Sequence, residues 1–145
     1  MKTTSPLTIL LVEDHEDTRR AIKRWLEWKG WQVLTAGDQT SALAVGLKQD
    51  FDLLLCDLQL PDGNGWELME KLKAAKPVRG IITSGHCSPS DIAHSKAVGY
   101  LEHLVKPYPV EELDALLERV QKQAARPGSR PPAAGARNRP RPRGN

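Results

Sequence analysis

Five short apolar runs, each followed by a segment with helical spacing, constrain this chain more than any other feature. The runs are Leu7–Val12, Trp31–Ala36, Asp52–Leu58, Gly80–Thr83 and Tyr100–Val105. The segments between them read as helices. Asp17–Lys29 carries Ala21, Ile22, Trp25 and Trp28 at helical spacing and stops at Gly30. Thr40–Lys48 is led by the capping residues Asp38 and Thr40, and Trp66–Ala75 turns Trp66, Met69 and Leu72 inward. Ser90–Val98 is a fourth helix, and Val110–Ala124 is a fifth, amphipathic through Leu113, Leu116, Leu117 and Val120. Runs without polar alternation suit strands covered on both faces. Strands alternating with helices predict an α/β fold, with a five-stranded parallel sheet and helices on both faces.

In an open parallel sheet, ligands sit at the carboxyl ends of the strands. The first strand ends in Glu13 and Asp14, with Glu16 and Asp17 close behind. The third ends in Asp57, the fourth in Ser84, and the fifth in Lys106 followed by Pro107. The second delivers nothing polar of note, as expected of an edge strand. Taken singly, each of these has a plain explanation: Asp14 or Asp17 as a helix cap, Lys106 as a surface lysine, Ser84 as a loop cap, Pro61–Gly65 as a tight turn. Together they converge on one rim. Adjacent carboxylates repel and are expensive to bury without a cation. A hard divalent cation such as Mg²⁺ removes that difficulty, since it prefers oxygen ligands and keeps several waters. A lysine and a hydroxyl beside it can hold an anionic group, a set suited to phosphoryl transfer with a carboxylate as nucleophile.

The motifs Leu-Val-Glu-Asp, Leu-Leu-Cys-Asp-Leu-Gln-Leu-Pro-Asp-Gly-Asn-Gly, Ile-Ile-Thr-Ser-Gly and Leu-Val-Lys-Pro occur in this order, each at the end of a predicted strand. In this the chain resembles the receiver domain of two-component response regulators, over residues 7–123. The resemblance implies a flavodoxin-like receiver fold with strand order 2-1-3-4-5. It implies Asp57 as the phosphoacceptor and Asp14 as a direct Mg²⁺ ligand, with Mn²⁺ a substitute. Glu13 becomes the second acid, acting through water on the metal, and the backbone carbonyl of Gln59 completes the ligands. Lys106 pairs with the phosphoryl oxygens, Ser84 meets them with its hydroxyl, Gly85 leaves room, and Pro107 follows a candidate cis bond. Gln59 and His86 border the site and tune phosphate lifetime. Receivers often carry Tyr or Phe where this chain has His103, so the switch pair is Ser84 and His103.

The function implied is a phosphoacceptor rather than an enzyme. It takes a phosphoryl group from a sensor histidine kinase or phosphotransfer protein, and signals to a target protein through the face of helix four, strand five and helix five. No output domain is expected after residue 124, so the alternative is a phosphorelay shuttle. The chain has 145 residues, 39 % hydrophobic and 27 % charged, with no run long enough for a bilayer. No signal peptide is read, and Cys56 and Cys87 suit free thiols in the cytoplasm. His15, His86 and His94 have no metal-ligand spacing, and the four Trp are read as packing residues.

Charge is distributed unevenly. Of the 21 basic and 18 acidic residues, six Arg and no acid fall in residues 126–145, leaving 15 against 18. Residues 1–6 read as an extension and 124–145 as a disordered Pro/Arg-rich tail. Nucleic acid could be met only through that tail, non-specifically and with steep salt dependence. A phosphate-cradling Gly-rich loop is missing after the first strand, where Glu-Asp-His-Glu-Asp stands instead, which makes a flavodoxin-like or dinucleotide-binding protein a poor match.

Overall fold

The structure is a computed structural model that describes residues 7–85 and 88–125. His86, Cys87, residues 1–6 and residues 126–145 lie outside the described residues, while Ala124 and Ala125, expected to begin the tail, belong to the last helix. The chain divides at Pro107/Tyr108 into two compact units. In chain order the first contains β1 (Thr8–Val12), α1 (Glu16–Trp28), β2 (Gln32–Ala36), α2 (Gln39–Lys48) and β3 (Leu53–Asp57). It continues with β4 (Gln59–Leu60), β5 (Gly63–Asn64), α3 (Gly65–Lys73), β6 (Gly80–Ser84), α4 (Pro89–Val98) and β7 (Tyr100–Val105). The second contains α5 (Val110–Ala125), in which Leu113, Leu116, Leu117 and Val120 are buried at helical spacing.

Five strands form one sheet in the order β2-β1-β3-β6-β7, every neighbour parallel. This is the expected order, with the short antiparallel hairpin β4–β5 inserted after the third strand. Right-handed crossovers explain the layering. The step from β1 to β2 runs one way along the sheet, and every later step runs the other way. α1 therefore covers one face, and α2, α3 and α4 the opposite one. The period-two geometry of the strands divides the core accordingly. Leu10, Val12, Leu54, Cys56 and Ile82 join Ala42, Leu68, Met69, Leu72 and Tyr100 in one buried cluster. Ile9, Leu11, Leu53, Leu55 and Ile81 are buried on the other side, and α1 buries Leu26. Each fully buried Leu or Ile contributes about 1.5–3 kcal/mol relative to exposure.

Helix ends follow local chemistry. Asp38 caps α2 by accepting from the Ser41 amide at 2.7 Å, and Ser88 with Asp91 forms a capping box on α4 behind Pro89. α4 ends at Gly99, whose φ of 119° is the left-handed conformation that glycine adopts without strain. α1 departs from expectation. Neither Asp14 nor Asp17 caps it: His15 holds the N-cap position without a side-chain bond, and Glu16 and Asp17 occupy the first turn, where the helix dipole favours them. Trp28 is the other correction. At 79 % exposure it is not packed inward: it ends α1, and Lys29 Nζ lies 5.9 Å from the centroid of its ring. Trp31 is buried and Trp25 and Trp66 are half-buried. No helix among the described residues is long and apolar enough to cross a membrane.

Candidate functional site

The buried strands end abruptly in polar side chains. Glu13, Asp14, His15, Asp57, Gln59, Ser84, Gly85 and Lys106 line one cavity of about 240 Å³ at the carboxyl edge of the sheet. Parallel pairing enforces this, since Val12 stands beside Cys56, Asp57 beside Thr83, and Ser84 beside Val105. Residues far apart in sequence are thus brought to one rim by register alone.

Lys106 binds the site together. Its Nζ lies 3.0 Å from Glu13 Oε1 and 3.0 Å from Asp57 Oδ1. Glu13 is only 3 % exposed, and its other oxygen accepts the His15 amide at 3.2 Å. A buried carboxylate needs such partners, because an unpaired one would cost several kcal/mol. Burial works against charge on Lys106, but the bonds to Glu13 and Asp57 outweigh it and raise its pKa. For Asp57 the balance falls the other way. Burial, with Glu13 adding to it, pushes its carboxyl from 3.8 up to about 6, although Lys106 and Thr83 bond to the charged form. Thr83 Oγ1 donates to the same Oδ1 at 3.3 Å. Oδ1 therefore takes both contacts.

Two features hold the loop after β3 in place. The Gly65 amide donates to Leu58 O at 2.8 Å, and a Cβ on Gly65 would stand 2.9 Å from Asp57 O, so glycine is required there. At the hairpin tip, Asp62 accepts from the Gln39 amide at 2.7 Å, the Thr40 amide at 2.9 Å and Thr40 Oγ1 at 2.6 Å. These bonds hold its carboxyl down at about 2. What read as a plain turn is a clamp between the β4–β5 hairpin and the start of α2. At the opposite wall, Arg19 Nη1 donates to Glu13 O at 2.8 Å and steadies the β1–α1 loop.

Ser84 is buried, and its Oγ lies 2.9 Å from His103 Nε2. Burial lowers the His103 pKa against a smaller opposing effect of Asp91, which favours the neutral ring. The Lys106–Pro107 peptide bond is cis. Space beside Gly85 is open, with nothing within 4 Å of an added Cβ. His15, which its spacing gave no reason to single out, reaches the cavity, and ligand atoms of Glu13, Asp14 and His15 lie within 4.8 Å of one another. Its adjacency to Glu13-Asp14 was the available signal. An acidic pocket of this composition, with the Gln59 segment beside it, fits a hard divalent cation.

Residues 9–118 match the response regulator receiver domain family. The chain belongs to that family. Among solved structures, a CheY-like receiver domain from Methanospirillum hungatei JF-1 superposes with a TM-score of 0.75 at 29 % identity, covering 81 % of this chain and 96 % of that one. The non-phosphorylated HemR receiver domain of Leptospira biflexa gives 0.73 at 32 % identity, with 79 % and 93 % covered. The receiver is also 30 % identical over 119 residues to a probable transcriptional regulatory protein, TcrX, of Mycobacterium tuberculosis, covering 79 % of this chain and 51 % of that protein. It therefore spans about half the length of that regulator. Sporulation initiation phosphotransferase F of Bacillus subtilis is 29 % identical over 106 residues, 72 % of this chain and 86 % of that protein. Receiver domains of this family are phosphoacceptor signalling domains of two-component systems, partnered by histidine kinases or phosphotransfer proteins.

Proposed function

We propose that this chain is a phosphorylation-controlled response regulator in which Asp57 takes a phosphoryl group from a phosphohistidine on a sensor kinase. The observation that carries the reading is Lys106 Nζ at 3.0 Å from both Glu13 and Asp57, inside a cavity that also holds Asp14 and Ser84. A carboxylate oxygen of Asp57 attacks phosphorus, the P–N bond to the histidine breaks with its electron pair staying on nitrogen, and an acyl phosphate forms. With its pKa at about 6, Asp57 is mostly ionised at neutral pH and ready as nucleophile. Lys106 pairs with a phosphoryl oxygen, and Ser84 donates to another. Glu13, Asp14, Asp57 and the Gln59 carbonyl would hold Mg²⁺, or Mn²⁺ in its place, which supplies positive charge to the phosphoryl oxygens. His103 serves with Ser84 as the switch pair, and Gln59 and His86 set water access and hence phosphate lifetime.

The domain runs over residues 7–123, with 1–6 and 124–145 as extensions. It signals in the cytoplasm through protein contacts, and the edge strand β7, where Leu101 and Val105 stand exposed, supports the α4–β7 face as the contact region. A phosphorelay shuttle is the second reading, favoured by the likeness to sporulation initiation phosphotransferase F.

Incubation with acetyl phosphate and Mg²⁺, followed by intact-mass measurement, tests the proposal. The expected result is one added phosphoryl group, lost with EDTA and absent from Asp57→Asn. Where acetyl phosphate leaves no mark, beryllofluoride titration takes its place; silence in both refutes the reading, as does modification of Asp57→Asn to the wild-type extent. Return of the phosphoryl group to a histidine phosphotransfer protein would distinguish the shuttle.

A further inference from the structure

The contacts that begin at Ser84 continue well past the site. Ser84 Oγ lies 2.9 Å from His103 Nε2, and His103 Nδ1 lies 3.4 Å from Ser95 Oγ. Ser95 Oγ accepts from Trp66 Nε1 at 2.9 Å. Trp66 stacks on His94, with ring centroids 4.0 Å apart and planes within 5° of parallel. β6, β7 and α3 each supply one member of this chain, and α4 supplies Ser95 and His94. Ser95 is 1 % exposed, so bulk water does not replace these partners.

Donor chemistry gives the chain a direction. An indole N–H only donates, so Ser95 Oγ accepts from Trp66 Nε1 and keeps its own hydroxyl proton, which an unprotonated His103 Nδ1 can accept. A neutral imidazole that accepts at Nδ1 carries its proton at Nε2 and donates it to Ser84 Oγ. In that tautomer every link points toward the site. A phenol in place of His103 has one polar atom and could not be held at both ends. The imidazole has two, and this chain uses both.

We propose that Ser95 is a positioning residue of the phosphoryl switch, holding His103 against Ser84 and carrying the state of Asp57 to the Trp66 indole in the α3–α4 seam. The inference rests on Asp57 as phosphoacceptor. Hydrogen-bonded chains polarise one another. When Ser84 donates to a phosphoryl oxygen, its Oγ becomes a stronger acceptor for His103, and the change passes through Nδ1 and Ser95 to the indole proton. The output of this receiver therefore includes a surface built on Trp66 and His94.

The test is a ¹H–¹⁵N spectrum of the ¹⁵N-labelled full chain, with Mg²⁺, before and after beryllofluoride. The Trp66 indole resonance is assigned by its loss in Trp66→Phe, and the backbone amides of Asp57 and Gly85 report occupancy of the site. In the wild type both the amides and the Trp66 indole shift. In Ser95→Ala and His103→Phe, which break the chain at different links, the amide shifts persist and the indole shift is lost. Amide shifts with a still indole in the wild type overturn the proposal. So does an indole shift of undiminished size in both variants. Still amides in the wild type would remove the phosphoacceptor reading itself, and this inference with it.

Discussion

Replacing Asp57 with Asn should stabilise the protein at high pH and leave it nearly unchanged at low pH. The carboxyl is buried beside Glu13, and its pKa rises from 3.8 in the unfolded chain to about 6 in the folded one. A raised carboxyl pKa means that the folded state binds the proton more tightly, so stability is highest below the unfolded value and falls as pH rises through the folded one. With each pKa unit worth about 1.4 kcal/mol, ionised Asp57 destabilises the fold by about 3 kcal/mol above pH 7. Asparagine removes that penalty but also weakens the contact with Lys106, so about 3 kcal/mol is an upper value. Urea denaturation of both proteins at pH 4 and pH 8, in EDTA, measures it. The difference between the proteins isolates Asp57, because other carboxylates titrate in both. Equal pH dependence, or a less stable variant at pH 8, would refute the argument that burial dominates over Lys106 at this carboxylate. The phosphoacceptor of this proposal is thus a group whose working ionisation state opposes folding, an expected trade-off at functional sites.

Other expectations bear on neighbouring parts of the molecule. Lys106→Met leaves Glu13 and Asp57 facing each other without a cation, so the Asp57 pKa, followed by ¹³C NMR of its carboxyl, should move above about 6; a fall would contradict the ion-pair geometry. Gly65→Ala puts a methyl 2.9 Å from Asp57 O and should lower stability by about 1–3 kcal/mol in denaturant titration, with slower phosphorylation from acetyl phosphate. Leu54→Ala, at a fully buried strand position, should cost about 2–5 kcal/mol in the same assay. Chelation with EDTA should abolish beryllofluoride binding, read by the amide shifts of Asp57 and Gly85, while leaving the fold intact by circular dichroism.

The order of strands and helices was legible because it depends on local periodicity and local stops. Tyr100–Val105 reads directly as a strand, and the other main elements lie within a residue or two of their expected bounds. The hairpin β4–β5 was harder to read, because two-residue strands carry no periodicity and Asp62 finds its partners some twenty residues away on α2. Trp28 fits a helical stripe by spacing, yet lies at the end of α1, where it stands 79 % exposed.

The sequence by itself determined which polar groups end each strand, since a buried strand must shed Glu13, Asp14, Asp57, Ser84 and Lys106 where it meets solvent. Only the tertiary structure decided how those groups share one another. Strand register set Lys106 between two carboxylates, whose bonds raise its pKa, while burial raises that of Asp57. Packing of α3 and α4 on the same face joined Trp66 to Ser95, 29 residues apart, and Ser95 to His103. Periodicity can place a side chain on a face, because that is a property of one element. Which side chain it meets there depends on the crossover, register and packing of several elements at once, and those are fixed only when the chain folds.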